Sequence, residues 1–161
     1  MPAAEQTAQA QYLVFGVAGE SYAVAILRAR EIVGYEGLTR LPSAAPWLRG
    51  VMSLRGKPVP VVDLALKLGL PATPVTPRTC IVLLELDGRS SLAGVLADGV
   101  EQVVELSPES IEAPPALGRR GGVDHLAGMA KLADRFVLIL DVDQALSPGE
   151  IREATAATAD A

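Results

Sequence analysis

Few side chains in this sequence could carry out a reaction. There is one histidine, His125, one cysteine, Cys80, and an Asp-x-Asp pair, Asp141 and Asp143. A Ser-His-Asp triad would have to use His125, which begins an apolar run with Asp124 beside it, and no nucleophile-elbow pattern occurs anywhere. His125 therefore reads as a strand-edge residue and not as a general base. Cys80 lies in the apolar run Thr79 to Leu86, where a thiol behaves as a small hydrophobe. Asp141-Val142-Asp143 has the spacing of a metal-binding pair, but it stands where a strand should end and a helix begin, so capping is the favoured role. There is no glycine-rich phosphate loop and no Cys/His metal spacing. Glu101 and Glu105 share a strand and read as solvated. An aromatic content of 4% offers no platform for stacking bases or sugars. The chemistry points to a binding module with no catalytic, metal or cofactor centre.

A different kind of candidate lies at Arg55-Gly56-Lys57, where two short apolar runs meet within Arg49 to Leu64. Gly56 permits a tight reversal. A guanidinium held on a turn between strands suits recognition of a partner's carboxylate. From residue chemistry alone a solvated turn is the favoured reading, because turn tips are normally polar and exposed. The second run carries Pro58 and Pro60, which places it at an edge, a bend or a bulge. Asp63 precedes Leu64, Leu66 and Leu68 and is expected to cap a short helix.

These residues must be held by short strands. Tyr12 to Ala18 and Ser21 to Ala25 read as a hairpin around Gly19-Glu20, followed by a helical turn at Ile26 to Arg30 and a strand over Glu31 to Tyr35. Leu41 to Trp47 and Leu70 to Pro77 are proline-bearing connections. Thr79 to Leu86, Ser90 to Leu96 and Val100 to Leu106 are strands separated by Asp87-Gly88 and Asp98-Gly99. Glu112 to Gly122 is a long loop. His125 to Leu132 and Phe136 to Leu140 form a last hairpin around Asp134, before a helical turn at Asp141 to Leu146. Leu13-Val14-Phe15, Ile81 to Leu84 and Phe136 to Leu140 are apolar at consecutive positions, so both faces of these strands are covered. A lone small barrel would leave its outer face wet. The expected fold is all-β, with two small barrels pressed together.

Composition narrows the partners. Half of the 161 residues are hydrophobic, enough for a sizeable core, and no apolar run reaches the ~20 residues a membrane helix needs. A single cysteine excludes an internal disulfide and fits a reducing, cytoplasmic setting. The net charge of -5 argues against nucleic acid as the main partner. Residues 1–70 hold seven Lys/Arg against five Asp/Glu, and residues 71–161 hold seven against fourteen, so two surfaces could meet differently charged partners. Residues 1–10 read as a leader, 11–148 as the domain, and 149–161 as a helix or frayed tail.

Five segments in order resemble the CheW-like domain of bacterial chemotaxis coupling proteins. They are Tyr12 to Phe15, Glu31 to Tyr35, Gly50 to Leu64, Gly94 to Val100 and Phe136 to Leu146, the most specific being the Leu-Arg-Gly core from Leu54 to Leu64. The resemblance implies two intertwined five-stranded SH3-like barrels with a shared apolar interface, and no catalysis or cofactor. It implies an adaptor that joins the cytoplasmic tip of chemoreceptors to the regulatory domain of a CheA-type histidine kinase. The chain is expected to be monomeric alone, without nucleic acid or membrane insertion, although exposed strand edges could pair with the kinase domain or with a second copy. In the family, Glu31 and Arg55 with Gly56 belong to a receptor-facing groove, and Val100 and Val103 line the same region. Glu31 could instead pair internally with an arginine, and both valines could be core. The family's motifs often carry an arginine at the position of Val33, an asparagine at Ser53 and an apolar residue at Lys57. These departures leave open a coupler of a non-flagellar pathway, or a competing adaptor that dampens signalling.

Overall fold

The computed structural model describes residues 10–40, 45–86, 91–112, 126–133, 135–147 and 151. Eleven strands are described: β1 (Ala10–Val17), β2 (Glu20–Ala25), β3 (Ala29–Gly34), β4 (Leu48–Leu54), β5 (Lys57–Val62), β6 (Cys80–Leu86), β7 (Ser91–Ala97), β8 (Gly99–Leu106), β9 (Ile111–Glu112), β10 (Leu126–Leu132) and β11 (Arg135–Leu140). Short helices α1 (Leu64–Lys67) and α2 (Val142–Ala145) follow β5 and β11, and Ile26–Arg28 and Pro108–Ser110 form 3-10 turns. His125, Asp87-Gly88, Asp134 and most of the expected leader, long loop and tail lie outside the described residues.

The strands form two sheets, in the orders β8-β1-β2-β11-β10-β9 and β3-β6-β7-β5-β4. The chain starts the first sheet with β1 and β2, builds the whole second sheet, and returns to the first at β8. The first sheet carries six strands where five are expected; β9 is a two-residue strand paired with β10, too short to leave a pattern in the sequence.

Each sheet has its own core. Val14, Ala23, Leu106, Ala130, Val137 and Ile139 pack within the first, and Val59, Val61, Ile81, Leu83 and Leu96 within the second. A third, larger core joins the two. It takes Leu13, Phe15, Val17, Tyr22 and Val24 from the first sheet, Val62, Val82, Leu84, Leu86 and Val95 from the second, and Leu64 and Val142 from the helices. Successive strand residues point to opposite faces, so consecutive apolar residues serve a private core and the shared one in turn. Val14 faces inward while Leu13 and Phe15 face the other unit. Ile151 is buried in the shared core too.

The prolines of β5 avoid a loss of ladder bonds in an unexpected way. β5 is not an edge strand: it lies between β7 and β4. Its pairing with β7 falls at Val61 and Val62, while Pro58 and Pro60 oppose only Ser53 and Val51 of β4. Half of the strand thus behaves as an edge, and the missing N–H groups fall there.

Asp63 stands at the N-cap of α1 but its side chain makes no capping bond. It is buried, accepting from Arg49 Nη1 at 2.7 Å, from the Thr73 amide at 3.0 Å and from Thr73 Oγ1 at 2.9 Å. A carboxylate removed from water needs charged and polar partners of this kind; β4 supplies Arg49 and the stretch 70–79 supplies Thr73. Asp141 does cap: its Oδ1 accepts from the Gln144 amide at 3.2 Å.

Candidate partner-binding site

Leu54 pairs with Lys57, so Arg55 and Gly56 are the two central residues of a hairpin loop. Their φ values are +50° and +83°. Positive φ at both positions is the mirror-image turn whose twist matches that of the flanking strands. Gly56 adopts it without steric cost. Arg55 does not, because its Cβ crowds the backbone in the left-handed region, at a cost of about 1 kcal/mol. The turn therefore holds a charged residue in a conformation that asparagine or glycine would adopt more easily, and its side chain is 71% exposed.

The guanidinium of Arg55 donates from Nη2 to Glu31 Oε1 at 3.1 Å. Glu31 sits on β3, and Arg55 on the turn leaving β4, at the opposite edge of the second sheet. Thr39, in the segment that follows β3, exchanges backbone hydrogen bonds of 3.0 and 2.9 Å with Val51 of β4. The second sheet thus curls far enough for the chain leaving β3 to reach β4, and the Glu31–Arg55 pair joins the same two sides. A side chain at Gly50 would obstruct this approach, since a Cβ there would stand 2.6 Å from the Thr39 carbonyl oxygen.

Val100 and Val103 lie on β8, an edge strand of the first sheet. Val100 is half-buried against the shared core. Val103 is 49% exposed although its cross-strand partner, Leu13, is buried. β3 shows the same arrangement at an edge of the other sheet. Glu31 and Val33 share one face, and Ile32 points to the other, paired with the fully buried Val82 yet itself 45% exposed. Ile32 and Val103 are thus apolar side chains at sheet edges, each beside a residue of the shared core. Ile32 was not singled out from the sequence, and the signal that could have found it is the two-residue alternation on either side of Glu31.

The residues with reactive side chains are otherwise engaged. Asp143 pairs with Arg28 at 2.7 Å, and Arg28 also donates from Nε and Nη2 to the Glu85 carbonyl. Burial pushes the Cys80 thiol above its ordinary range. Burial, aided by the negative charge of Glu20, does the same to the Tyr22 phenol. Glu101 is not simply solvated: it accepts from Ser21 Oγ at 3.0 Å and from Arg135 Nη2 at 2.6 Å.

A family model for the CheW-like domain matches residues 11–149. The chain belongs to the CheW-like family. It is 30% identical to the chemotaxis protein CheW of Klebsiella aerogenes over 92% of this chain and 88% of that one. Identity to the CheW of Bacillus subtilis is 28%, over 83% and 85%. The crystal structure of the scaffolding protein TtCheW from Thermoanaerobacter tengcongensis superposes with a TM-score of 0.75 at 28% identity, covering 83% of this chain and 84% of that one. This CheW-like chain is a non-catalytic adaptor of chemotaxis signalling, and its all-β fold of two packed sheets is that of the family. No helix among the described residues is long and apolar enough to cross a membrane.

Proposed function

We propose that this adaptor works in the cytoplasm, joining the cytoplasmic tip of chemoreceptors to the regulatory domain of a CheA-type histidine kinase. The receptor is met by Arg55 and Glu31 on the turn and edge of the second sheet, with Gly56 setting the turn and Val100 and Val103 giving apolar contact. A receptor tip is a helical hairpin, and an amphipathic helix lying in a groove with charged rims is a common recognition mode. The observation that carries this reading is Arg55 itself: an exposed arginine held at φ +50° between two strands, where a smaller residue would be less strained.

The test pairs receptor pull-down with a melting curve for Arg55→Glu. The pair it breaks is solvent-exposed and contributes little to stability. Receptor capture is expected to fall while the melting temperature holds. Undiminished capture by the folded variant would remove Arg55 from the site. A titration against the regulatory domain of each histidine kinase of the host, one by one, tests the other half, with saturable binding to one of them expected.

A further inference from the structure

A cleft of about 510 Å³ lies away from the Arg55 turn, lined by Arg40, Ala45, Pro46, Leu48, Arg49, Ala72, Thr73 and Pro74. Two of its lining residues, Arg49 and Thr73, hold the buried Asp63. Arg49 Nη1 donates both to Asp63 Oδ2 and to the Thr73 carbonyl, at 2.7 and 3.3 Å, which uses both protons of that nitrogen. The other Asp63 oxygen is taken by Thr73 Oγ1. The guanidinium is thereby fixed by one corner. Among the described residues, Nε and Nη2 of Arg49 have no acceptor, and these two nitrogens form the fork that grips a carboxylate with two parallel bonds. Arg40, exposed and without an ion pair among the described residues, adds a second guanidinium to the rim. Two arginines and one aspartate leave the cleft with a net positive charge inside an acidic protein.

We propose that this cleft is a carboxylate-binding site. The carboxylate would lie on the free fork of Arg49 with Arg40 closing over it, and the alkyl part of the ligand against Pro46, Leu48 and Pro74. The volume falls within the range of small-ligand sites. Among the described residues no lining side chain is aromatic, so the cleft suits an aliphatic acid better than a base or ring that needs a stacking partner. The acid could be a small free dicarboxylate or an aspartate or glutamate side chain of a protein partner. The inference does not depend on the receptor site proposed above, because it shares no residue with it.

The full chain, labelled with ¹⁵N, would be titrated with succinate and, separately, with a capped Gly-Asp-Gly peptide, following the arginine Nε–H signals. Succinamide, of the same size and neutral, is the control. Saturable shifts of the Arg40 and Arg49 signals are expected with an acid and not with succinamide. Binding of succinate would identify a free small acid as sufficient, and binding of the peptide alone would point to a partner's side chain. Arg49→Lys keeps a cation for Asp63 but loses the fork, and is expected to weaken binding about ten-fold. Arg40→Ala removes an exposed residue with no described partner and is expected to weaken binding without moving the melting temperature. No shift with either acid, or equal binding by both variants, would overturn the proposal.

Discussion

Glu31 and Arg55 stand on opposite edges of one five-stranded sheet and meet in an ion pair of 3.1 Å. They are brought together by the curl of the sheet, with the Thr39–Val51 bridge beside them. Arg55 is 71% exposed, so the pair adds little to stability, of order 0–1 kcal/mol. A double-mutant cycle of Glu31→Gln and Arg55→Gln, read by urea unfolding, is expected to give a coupling within that range. A coupling of several kcal/mol would mean that the pair holds the sheet closed.

The left-handed turn predicts a separation of fold from function. Asparagine tolerates positive φ, so Arg55→Asn should relax the turn and leave stability equal or raised by up to about 0.5 kcal/mol. Receptor capture should still fall. A variant that melts later but binds less would show that the arginine is retained for its side chain.

The Arg49–Asp63 pair should be the costliest of the described ion pairs to break from one side. The Asp63 side chain has no exposed surface. Arg49→Ala would leave a buried carboxylate without its cation, a loss of about 3–5 kcal/mol. Asp63→Asn in the same background should recover part of it. Denaturant midpoints of the single and double variants check both statements.

Among the described residues, Gly50, Gly94 and Gly128 are required by close approach. A Cβ at Gly50 would meet the Thr39 carbonyl oxygen at 2.6 Å, and one at Gly94 would meet Ile81 Cγ2 at 2.6 Å. Gly50→Ala and Gly94→Ala are each expected to cost about 1–3 kcal/mol, from overpacking against atoms that cannot withdraw. Gly56→Ala meets no neighbour, and its cost comes from φ alone. Thermal melts of the three variants should therefore rank Gly56→Ala as the mildest.

Alkaline pH should destabilise the fold. Cys80 and Tyr22 both ionise less readily when folded than when unfolded. Once the pH passes the ordinary thiol and phenol values, about 8.5 and 10, the unfolded chain releases protons that the folded chain keeps. The stability due to their neutral forms is complete below those values and declines as pH rises through the raised ones. Melting temperatures across this alkaline range should fall less steeply for Cys80→Ser than for the parent protein.

Much of the fold was legible because its signals are local. The β1–β2 hairpin, the capping role of Asp141 and the two-faced strands Leu13-Val14-Phe15 and Ile81 to Leu84 each follow from residue type and two-residue periodicity. Asp63 misled because N-capping is the common role for an aspartate before a helix, and nothing in its own segment reveals Thr73 ten residues later or Arg49 fourteen residues earlier. Pro58 and Pro60 suggested an edge, a bend or a bulge; the strand is internal, and only its proline-bearing half lacks a partner on the β7 side.

The sequence by itself determined where most of the strands lie, that both faces of several are apolar, and that a glycine-permitted turn lifts Arg55 out between two of them. Those properties come from backbone sterics and side-chain burial over a few residues. Only the tertiary structure decided that the chain leaving β3 reaches β4 at Thr39 and Val51, that Glu31 reaches Arg55 across 24 residues of chain, and that Arg49 offers one free edge above a buried carboxylate. The curl of a sheet and the match between distant partners depend on how every strand packs at once, and no short stretch of chain encodes that.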